Sequence, residues 1–532
     1  MHPPLVKHPK PSRRTFAPFH VLLIAAIAAQ LWTIWRYPYF PSQDGPAHLY
    51  NAGLLAWLDN WDTARRYFEV RFTLAGNVTG HLVLASLMRA VSPVAAEKIL
   101  LGCIVVCHAV SVWVLTRAFR AKAPEVGLWA VLLGQGQLLY MGFWNFCLAA
   151  GAILAAVGLT VLARERAGRG RLAVCAALSG AMYFSHSTAW AASAAAALLY
   201  LALDHVLRHG RSWWAGLKAD ARRLAGLAAA VLWPAAILLV YLLTSERLTS
   251  ETDQLLRSKA WTFYSGAFLG TIPAALPLRY LFMGFAAAMP VVAIVFRFLR
   301  RIGPAPSDSL LLSAGLFMAA TLFAPDQLGS GAYLTSRFAL MTALALVGWL
   351  GCQPWPAWVR AVLGTCLVAA VLLQTRANLT EVRRWQPAIR ELASLRSVIP
   401  EGSVVLPVLA NRDKSLGYDP LLHAAGYWTP KDFVYLRNYQ AFRPHFCVSF
   451  RPEYSPDGRL GEPRAMDAAP AKFSIAQYEA RTRGRVDLVI LYGPFPEKIE
   501  TVLPQASWDP DSAFELKMVS SPNGLARIYG RR

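Results

Sequence analysis

Apolar residues along this chain gather into long runs over the first 375 positions and then give way to short alternating stretches. A helix crossing about 30 Å of hydrocarbon needs roughly 17 to 25 mostly apolar residues. Eleven runs reach or approach that length: 17–36, 99–119, 126–141, 142–163, 172–186, 187–207, 224–243, 278–298, 308–325, 335–352 and 359–375. The runs at 126–141 and 172–186 are short, and the pairs they belong to are equally compatible with re-entrant hairpins, which leaves the sidedness of everything downstream unchanged. Beyond 375 the pattern changes. Asn378 followed by Glu381 reads as a capping-box-like helix start, with helical periodicity up to Ser397. Strand signals follow at Ser403 to Leu409, Phe433 to Leu436, Val486 to Tyr492, Phe514 to Val519 and Gly524 to Tyr529, the last two bracketing the turn Ser521-Pro-Asn-Gly524. The expected architecture is a polytopic α-helical membrane protein of about 11 transmembrane helices over 1–375, with a C-terminal extracytoplasmic α/β domain over 376–532.

The chain has 532 residues, 55% hydrophobic and 16% charged, with a formal net charge of +22. Nucleic-acid binding requires basic residues gathered on a soluble face, whereas here they flank apolar runs. Lys7, Lys10, Arg13 and Arg14 precede the first run; Arg117, Arg120 and Lys122 follow the second; Arg164, Arg166, Arg169 and Arg171 separate two later ones. Short basic loops stay on the cytoplasmic side, which places the N-terminus in the cytoplasm of a cell whose plasma (inner) membrane holds the protein. The segments 37–98, 244–277 and everything after 374 then face outward. Phe19 to Trp35 is followed by no small-residue cleavage site and by many further spans, so it is expected to remain as an uncleaved first span. Six of the seven cysteines lie in apolar runs and Cys447 stands alone in the polar module, so no disulfide is expected within that module.

The outward segment 37–98 carries the first candidate chemistry. Its start, Tyr37-Pro-Tyr-Phe-Pro-Ser-Gln-Asp44-Gly-Pro-Ala-His48, puts Pro46 in the first turn of a helix, Asp44 at or just before its N-terminus and His48 one turn later. Asp44 can serve as a general base toward an acceptor hydroxyl, or as a ligand to a divalent metal, with His48 as partner; the competing reading is a carboxylate that only caps its helix. Patches at Pro46 to Leu58 and Gly80 to Ala90 read as amphipathic helices at the interface. Near the same membrane face, His186 in Phe184-Ser-His-Ser-Thr-Ala-Trp190 joins two spans, and Arg337 in Tyr333-Leu-Thr-Ser-Arg-Phe338 opens another after a loop beginning Ala324-Pro-Asp326. Arginine suits a lipid-linked phosphate because its planar fork gives two parallel charge-assisted bonds; an arginine snorkelling to headgroups is the alternative. His186 and Asp326 are grouped with it as substrate or phosphate contacts. Arg71 is a further phosphate candidate, and Arg65, Arg66, Arg257 and Lys259 are weaker ones. Leu133-Gly-Gln-Gly-Gln137 lacks a following Lys-Ser/Thr and lies inside a run, so it is no nucleotide loop. No Cys/His spacing matches a structural zinc site, and no cofactor is implied.

The order of a first span, an acidic residue in a long outer loop, juxtamembrane helices and then Ser92-Pro-Val-Ala-Ala-Glu-Lys-Ile-Leu100 leading into the second span resembles the GT-C superfamily of polyprenyl-phosphate-sugar-dependent glycosyltransferases, which includes protein mannosyltransferases and aminoarabinose transferases. The resemblance covers about the first 120 residues and, more loosely, the membrane body with its outer domain. It implies an inverting transfer of sugar from a lipid-linked donor to an outer-face glycan, lipid or protein, with Asp44 as the loop-one carboxylate. The chain departs from the family at two places: Asp44-Gly45 stands where relatives often read Asp-Glu, and Asn77-Val-Thr-Gly-His81 stands where they read Lys-Pro-Pro-Leu. A transporter or flippase of lipid-linked sugar, or a non-catalytic glycolipid-binding scaffold, are the alternative functions.

Overall fold

The computed structural model describes residues 17–71, 73–166, 168–244, 250–251, 258–261, 276–328, 332–409, 417–443, 445–456, 475–493 and 513–532. The N-terminal basic cluster, Arg257 and most of the outward segment 244–277 lie outside the described residues. Among those described, seven helices are long and apolar enough to cross a membrane: Pro18–Trp35, Pro93–Ala118, Trp144–Glu165, Ser187–Leu232, Leu276–Leu299, Leu334–Gly351 and Ala357–Ser397. Thr79–Met88, Pro234–Leu243 and Asp308–Phe323 are shorter apolar helices. The chain is an integral membrane protein.

The eleven expected spans are not reproduced one for one. The run 172–186 forms part of a 17-residue helix, Arg169–Ser185. The run 126–141 is not one helix but three short pieces, Pro124–Gly127, Trp129–Leu132 and Gln137–Tyr140. Its apolar residues face protein rather than lipid: Leu128, Trp129, Ala130, Val131, Leu132 and Leu133 are all fully buried. Irregular backbone at membrane depth persists only where protein surrounds it and satisfies its polar groups. Here glutamines do so. Gln30 Nε2 donates to the Val131 carbonyl at 2.8 Å and Gln374 Nε2 to the Leu132 carbonyl at 2.7 Å, while Gln135 Nε2 donates back to the Gln30 carbonyl at 2.8 Å.

Asn378 joins the same network, donating to Gln135 Oε1 at 2.6 Å. It lies within a continuous 38-residue helix, Ala357–Ser394, so the expected helix start at Asn378 is corrected: the last span and the first helix of the outer module are one rod, about 57 Å long at 1.5 Å per residue. Glu381 caps nothing. It accepts from the Tyr418 hydroxyl and from Trp385 Nε1, each at 2.7 Å.

Beyond this helix the module builds a five-stranded sheet in the order Phe433–Tyr435, Ser403–Leu409, Leu488–Tyr492, Ala526–Arg531 and Phe514–Val519. The first three strands run parallel and the last two pair antiparallel. Ser403–Leu409 is buried on both faces, as a central parallel strand must be.

The loop between the first two membrane spans is woven into this module. Phe68–Val70 pairs antiparallel with Val448–Phe450, with Phe68 opposite Phe450. Asp432 accepts from the Thr63 and Ala64 amides at the start of the helix Asp62–Tyr67, both at 3.0 Å. Tyr50 donates to the Phe433 carbonyl at 2.8 Å, and Asn51 and Asn438 exchange side-chain bonds of 2.9 and 3.0 Å.

Candidate active site

Asp44 stands at the start of the helix Gly45–Trp57, and its side chain makes no capping bond. The first helical amide, Gly45 N, bonds Ser42 Oγ instead, at 2.8 Å. The carboxylate is 8% exposed and takes bonds from elsewhere. Gln43 Nε2 donates to Oδ1 at 3.2 Å, His423 Nε2 lies 3.7 Å from the same oxygen, and the Tyr439 hydroxyl also bonds it. His423 stacks on Tyr439 with ring centroids 4.7 Å apart, and its Nδ1 faces the Tyr435 hydroxyl at 3.2 Å. Burial and the neighbouring Asp44 charge push the Tyr439 phenol well above its ordinary value, so it stays a proton donor to the carboxylate.

Gly142 forms the floor. Its φ of +89° is a conformation that glycine adopts without steric cost, and a Cβ there would stand 2.7 Å from Asp44 Cβ.

His48 is one turn along from Asp44, as expected, but its ring turns elsewhere. Nε2 faces the Gly142 carbonyl at 2.8 Å, which fixes the proton on that nitrogen. Nδ1 then accepts from Gln440 Nε2 at 2.9 Å and faces His81 Nε2 at 3.0 Å. Both nitrogens are committed to the protein. Burial, followed by His81 beside it, holds His48 well below its usual range, and burial alone is the main cause that takes His81 down to about 4. The two rings are neutral struts between the first outer helix, the helix Thr79–Met88 and the module. The stretch Asn77 to His81 hangs from Asn145, whose Oδ1 accepts from Gly80 N at 2.5 Å and whose Nδ2 donates to the Asn77 carbonyl at 2.9 Å.

On the other side of the segment 142–146, Arg337 lies over two aromatic rings, its guanidinium carbon 4.8 Å from the Phe143 centroid and 5.4 Å from that of Phe146. Such stacking holds the guanidinium plane in one orientation. Its NH1 donates to His186 Nε2 at 3.0 Å. Because a guanidinium only donates, His186 carries its proton on Nδ1. That Nδ1 and Arg337 Nε are both buried without a hydrogen-bond partner, as is Nδ1 of His445. Burial first, then the Arg443 and Arg337 charges, hold His445 down to about 3.

The structure therefore brings His186 and Arg337 together and sets Asp44 across the same short segment. Asp326 acts at one remove: its Oδ1 accepts from Thr335 N and its carbonyl from Leu334 N, both at 3.0 Å, capping the helix that carries Arg337. Arg71 is apart from both, an exposed residue paired with Glu69 at 2.8 Å. Lys259 donates to the Ala324 carbonyl. His81 and His445 are not candidates in the sequence, whereas His423 and the stretch Leu436–Phe442, which holds Tyr439 and Gln440, read there as acceptor-glycan contacts or, in the favoured reading, as core and turn residues of the module. The signal for those in the module is a His- and Tyr-rich stretch, 423–446.

No protein-family model matches the chain, and no curated protein sequence matches it. Among solved structures it is similar to ArnT from Cupriavidus metallidurans in the apo state, with a TM-score of 0.57 over 97% of this chain and 98% of that one, at 10% identity. A weaker likeness, with a TM-score of 0.47 and 14% identity, is to the arabinofuranosyltransferase AftD from Mycobacteria; it covers 98% of this chain and 40% of that one. Topology from end to end agrees with the first of these, and the chain shares its fold.

Proposed function

We propose that the protein is an inverting glycosyltransferase of the plasma (inner) membrane, moving a sugar from a polyprenyl-phosphate donor to an acceptor on the outer face. The observation that carries this reading is the segment Gly142 to Phe146, which has a buried carboxylate against one end and an aromatic-stacked arginine with unused donors against the other. Buried donors without partners cost about 1–3 kcal/mol each, and the anionic oxygens of a phosphate would satisfy the unpaired Arg337 Nε and, separately, His186 Nδ1.

In the proposed reaction the acceptor hydroxyl loses its proton to Asp44 as its oxygen attacks the anomeric carbon. The bond from that carbon to the phosphate oxygen breaks, and the electron pair leaves with the phosphate. Arg337 and His186 hold that phosphate and offset its growing charge. Tyr439 and His423 orient the Asp44 carboxylate, and His48 orients Gly142. The lipid tail remains in hydrocarbon throughout, so a membrane-facing clamp suits the donor better than a nucleotide fold.

The test uses membranes containing the full chain and radiolabelled polyprenyl-phosphate sugars. Asp44→Asn should reduce transfer by roughly 10²- to 10⁴-fold while leaving the melting temperature and detergent-solution size profile unchanged. Full transfer in that variant would remove Asp44 from the role of base.

A further inference from the structure

A second cluster lies at the far end of the molecule. The helix Ser187–His209 begins beside His186 and spans 23 residues, so its last turn is about 35 Å away at 1.5 Å per residue. In that turn His205 and His209 are one helical turn apart, their ring centroids 4.6 Å from each other. The chain then reverses through Gly210–Ser212 into the helix Trp213–Leu232, which returns Asp220 to face both histidines. One ligand atom from each of the three lies within 4.8 Å of the others.

Three details show a site organised beyond proximity. First, His205 is 5% exposed, and its Nε2 faces the Trp213 carbonyl at 2.9 Å. That bond keeps the proton on Nε2 and leaves Nδ1 as a lone pair. This lone pair points at Asp220 Oδ2 from 3.7 Å, and Nδ1 is a buried atom with no hydrogen-bond partner. Asp220 Oδ2 is bonded by the Arg164 guanidinium, whereas the His205 lone pair beside it has no partner and is open to a cation. Second, His209 Nε2 approaches the same oxygen at 3.4 Å. Its ring lies against Gly216, where a Cβ would be 2.3 Å from His209 Cγ, so the opposing helix is opened at the position that admits the imidazole. Third, the surrounding groups are those that orient metal ligands. Arg164 bonds the Asp220 carboxylate and also Asp204, at 3.0 Å, and Arg208 bonds Asp204 at 2.7 Å.

We propose that His205, His209 and Asp220 bind a divalent transition metal of the zinc class, which ties the helix Ser187–His209 to the helix Trp213–Leu232. Two imidazoles and one carboxylate are a donor set for zinc, cobalt or nickel rather than for calcium or magnesium. Asp220 Oδ2 stands 3.4 and 3.7 Å from the two histidine nitrogens, close to the spacing set by a tetrahedral ion with bonds of about 2.0–2.1 Å, and all three ligand atoms lie within 4.8 Å of one another. A fourth position is left for water. Arg164 bonds that same Oδ2, and a carboxylate oxygen has lone pairs for both an ion and a guanidinium. The site was not evident from ligand spacing along the chain, because its third ligand comes from the next helix.

The test uses tag-free full-length protein in detergent, stripped with chelator and titrated with cobalt(II). One equivalent should bind, with the intense visible bands of a four-coordinate ion, and zinc should displace it while raising the melting temperature. His209 is 28% exposed at its side chain, so His209→Ala should fold and lose at least about 10-fold in affinity. Asp220→Asn should do the same, while Asp44→Asn should bind as the parent does. No bound cobalt, or cobalt indifferent to His209→Ala, or cobalt lost in Asp44→Asn alone would overturn the assignment.

Discussion

Gly426 is where the C-terminal module leans on the helix Gly45–Trp57 behind Asp44, and replacing it should separate the two. A Cβ at 426 would stand 1.8 Å from the Pro46 carbonyl oxygen and 2.2 Å from its carbon. Both are backbone atoms, and Pro46 is two residues from Asp44, so no flexible side chain can yield. To reach ordinary contact the segments must part by more than about 1 Å. Overpacking of this kind costs about 1–3 kcal/mol, and a 1 Å displacement of a reacting group costs on the order of 10²-fold in rate. Gly426→Ala should therefore lower the melting temperature by several degrees in detergent, increase protease cleavage within 417–443, and reduce transfer about 10²-fold. Gly364→Ala is the control: it sits in the helix Ala357–Ser394 with nothing within 4 Å of a Cβ, and should gain up to about 1 kcal/mol from helix propensity. Unchanged stability and protease resistance in Gly426→Ala would refute the claim that this contact seats Asp44.

Other outcomes follow from particular contacts. His81 is buried neutral, its value taken down from 6.5 to about 4. The unfolded chain therefore binds the extra proton between those values, and stability should be full above pH 6.5 and fall as pH drops toward 4. The loss is on the order of 3 kcal/mol; His81→Gln should flatten that slope in pH-dependent melting, and an unchanged slope would remove His81 as its source. Glu391 accepts from Ser520 Oγ, from the Asn523 amide and side chain and from Leu525 N, which an acceptor-only carboxylate can do and a glutamine cannot. Glu391→Gln should cost about 1–3 kcal/mol and raise hydrogen exchange in the hairpin 514–531. Arg337→Lys keeps a charge but loses the fork, and should raise the donor KM roughly 10- to 100-fold with protein yield unchanged; a normal KM would argue against a phosphate clamp there.

Much of the fold was legible because its signals are local. Ser403–Leu409 and Phe514–Val519 coincide with the stretches of β-branched and apolar residues that predict them, and Pro46 marks the first turn of its helix. The failures share one cause. An apolar run reads the same whether lipid or protein covers it, so 126–141 passed for a span when glutamines on two other helices were needed to satisfy its broken backbone. Asn378 and Glu381 have the spacing of a cap, yet they are buried partners of Gln135 and Tyr418, residues about 243 and 37 positions away. Asp44 could be found from its place beside a helical proline. Its companions His423 and Tyr439 lie nearly 400 positions downstream, in a stretch marked only by its histidines and tyrosines.

That distance bears on how the site works. Asp44, Gly142 and Arg337 belong to the helical body, whereas His423, Tyr439 and Gln440 belong to the C-terminal module, and the two halves are joined where Phe68–Val70 and Gly45–Trp57 are bound into the module. Each half alone would leave Asp44 either open to water or without the groups that orient it. A fold by itself does not set the chemistry of such a site; the side chains lining it do. The chain lacks the second acidic residue at 45, where a Cβ would meet Ser42 Oγ at 2.2 Å and the Trp144 ring at 2.5 Å. No larger side chain can stand there without moving Trp144, which packs against His48. Glycine at 45 is thus tied to the close packing of Ser42 and Trp144 beside a single carboxylate, and the polar groups that meet Asp44 come from Gln43 and from His423 and Tyr439 of the module.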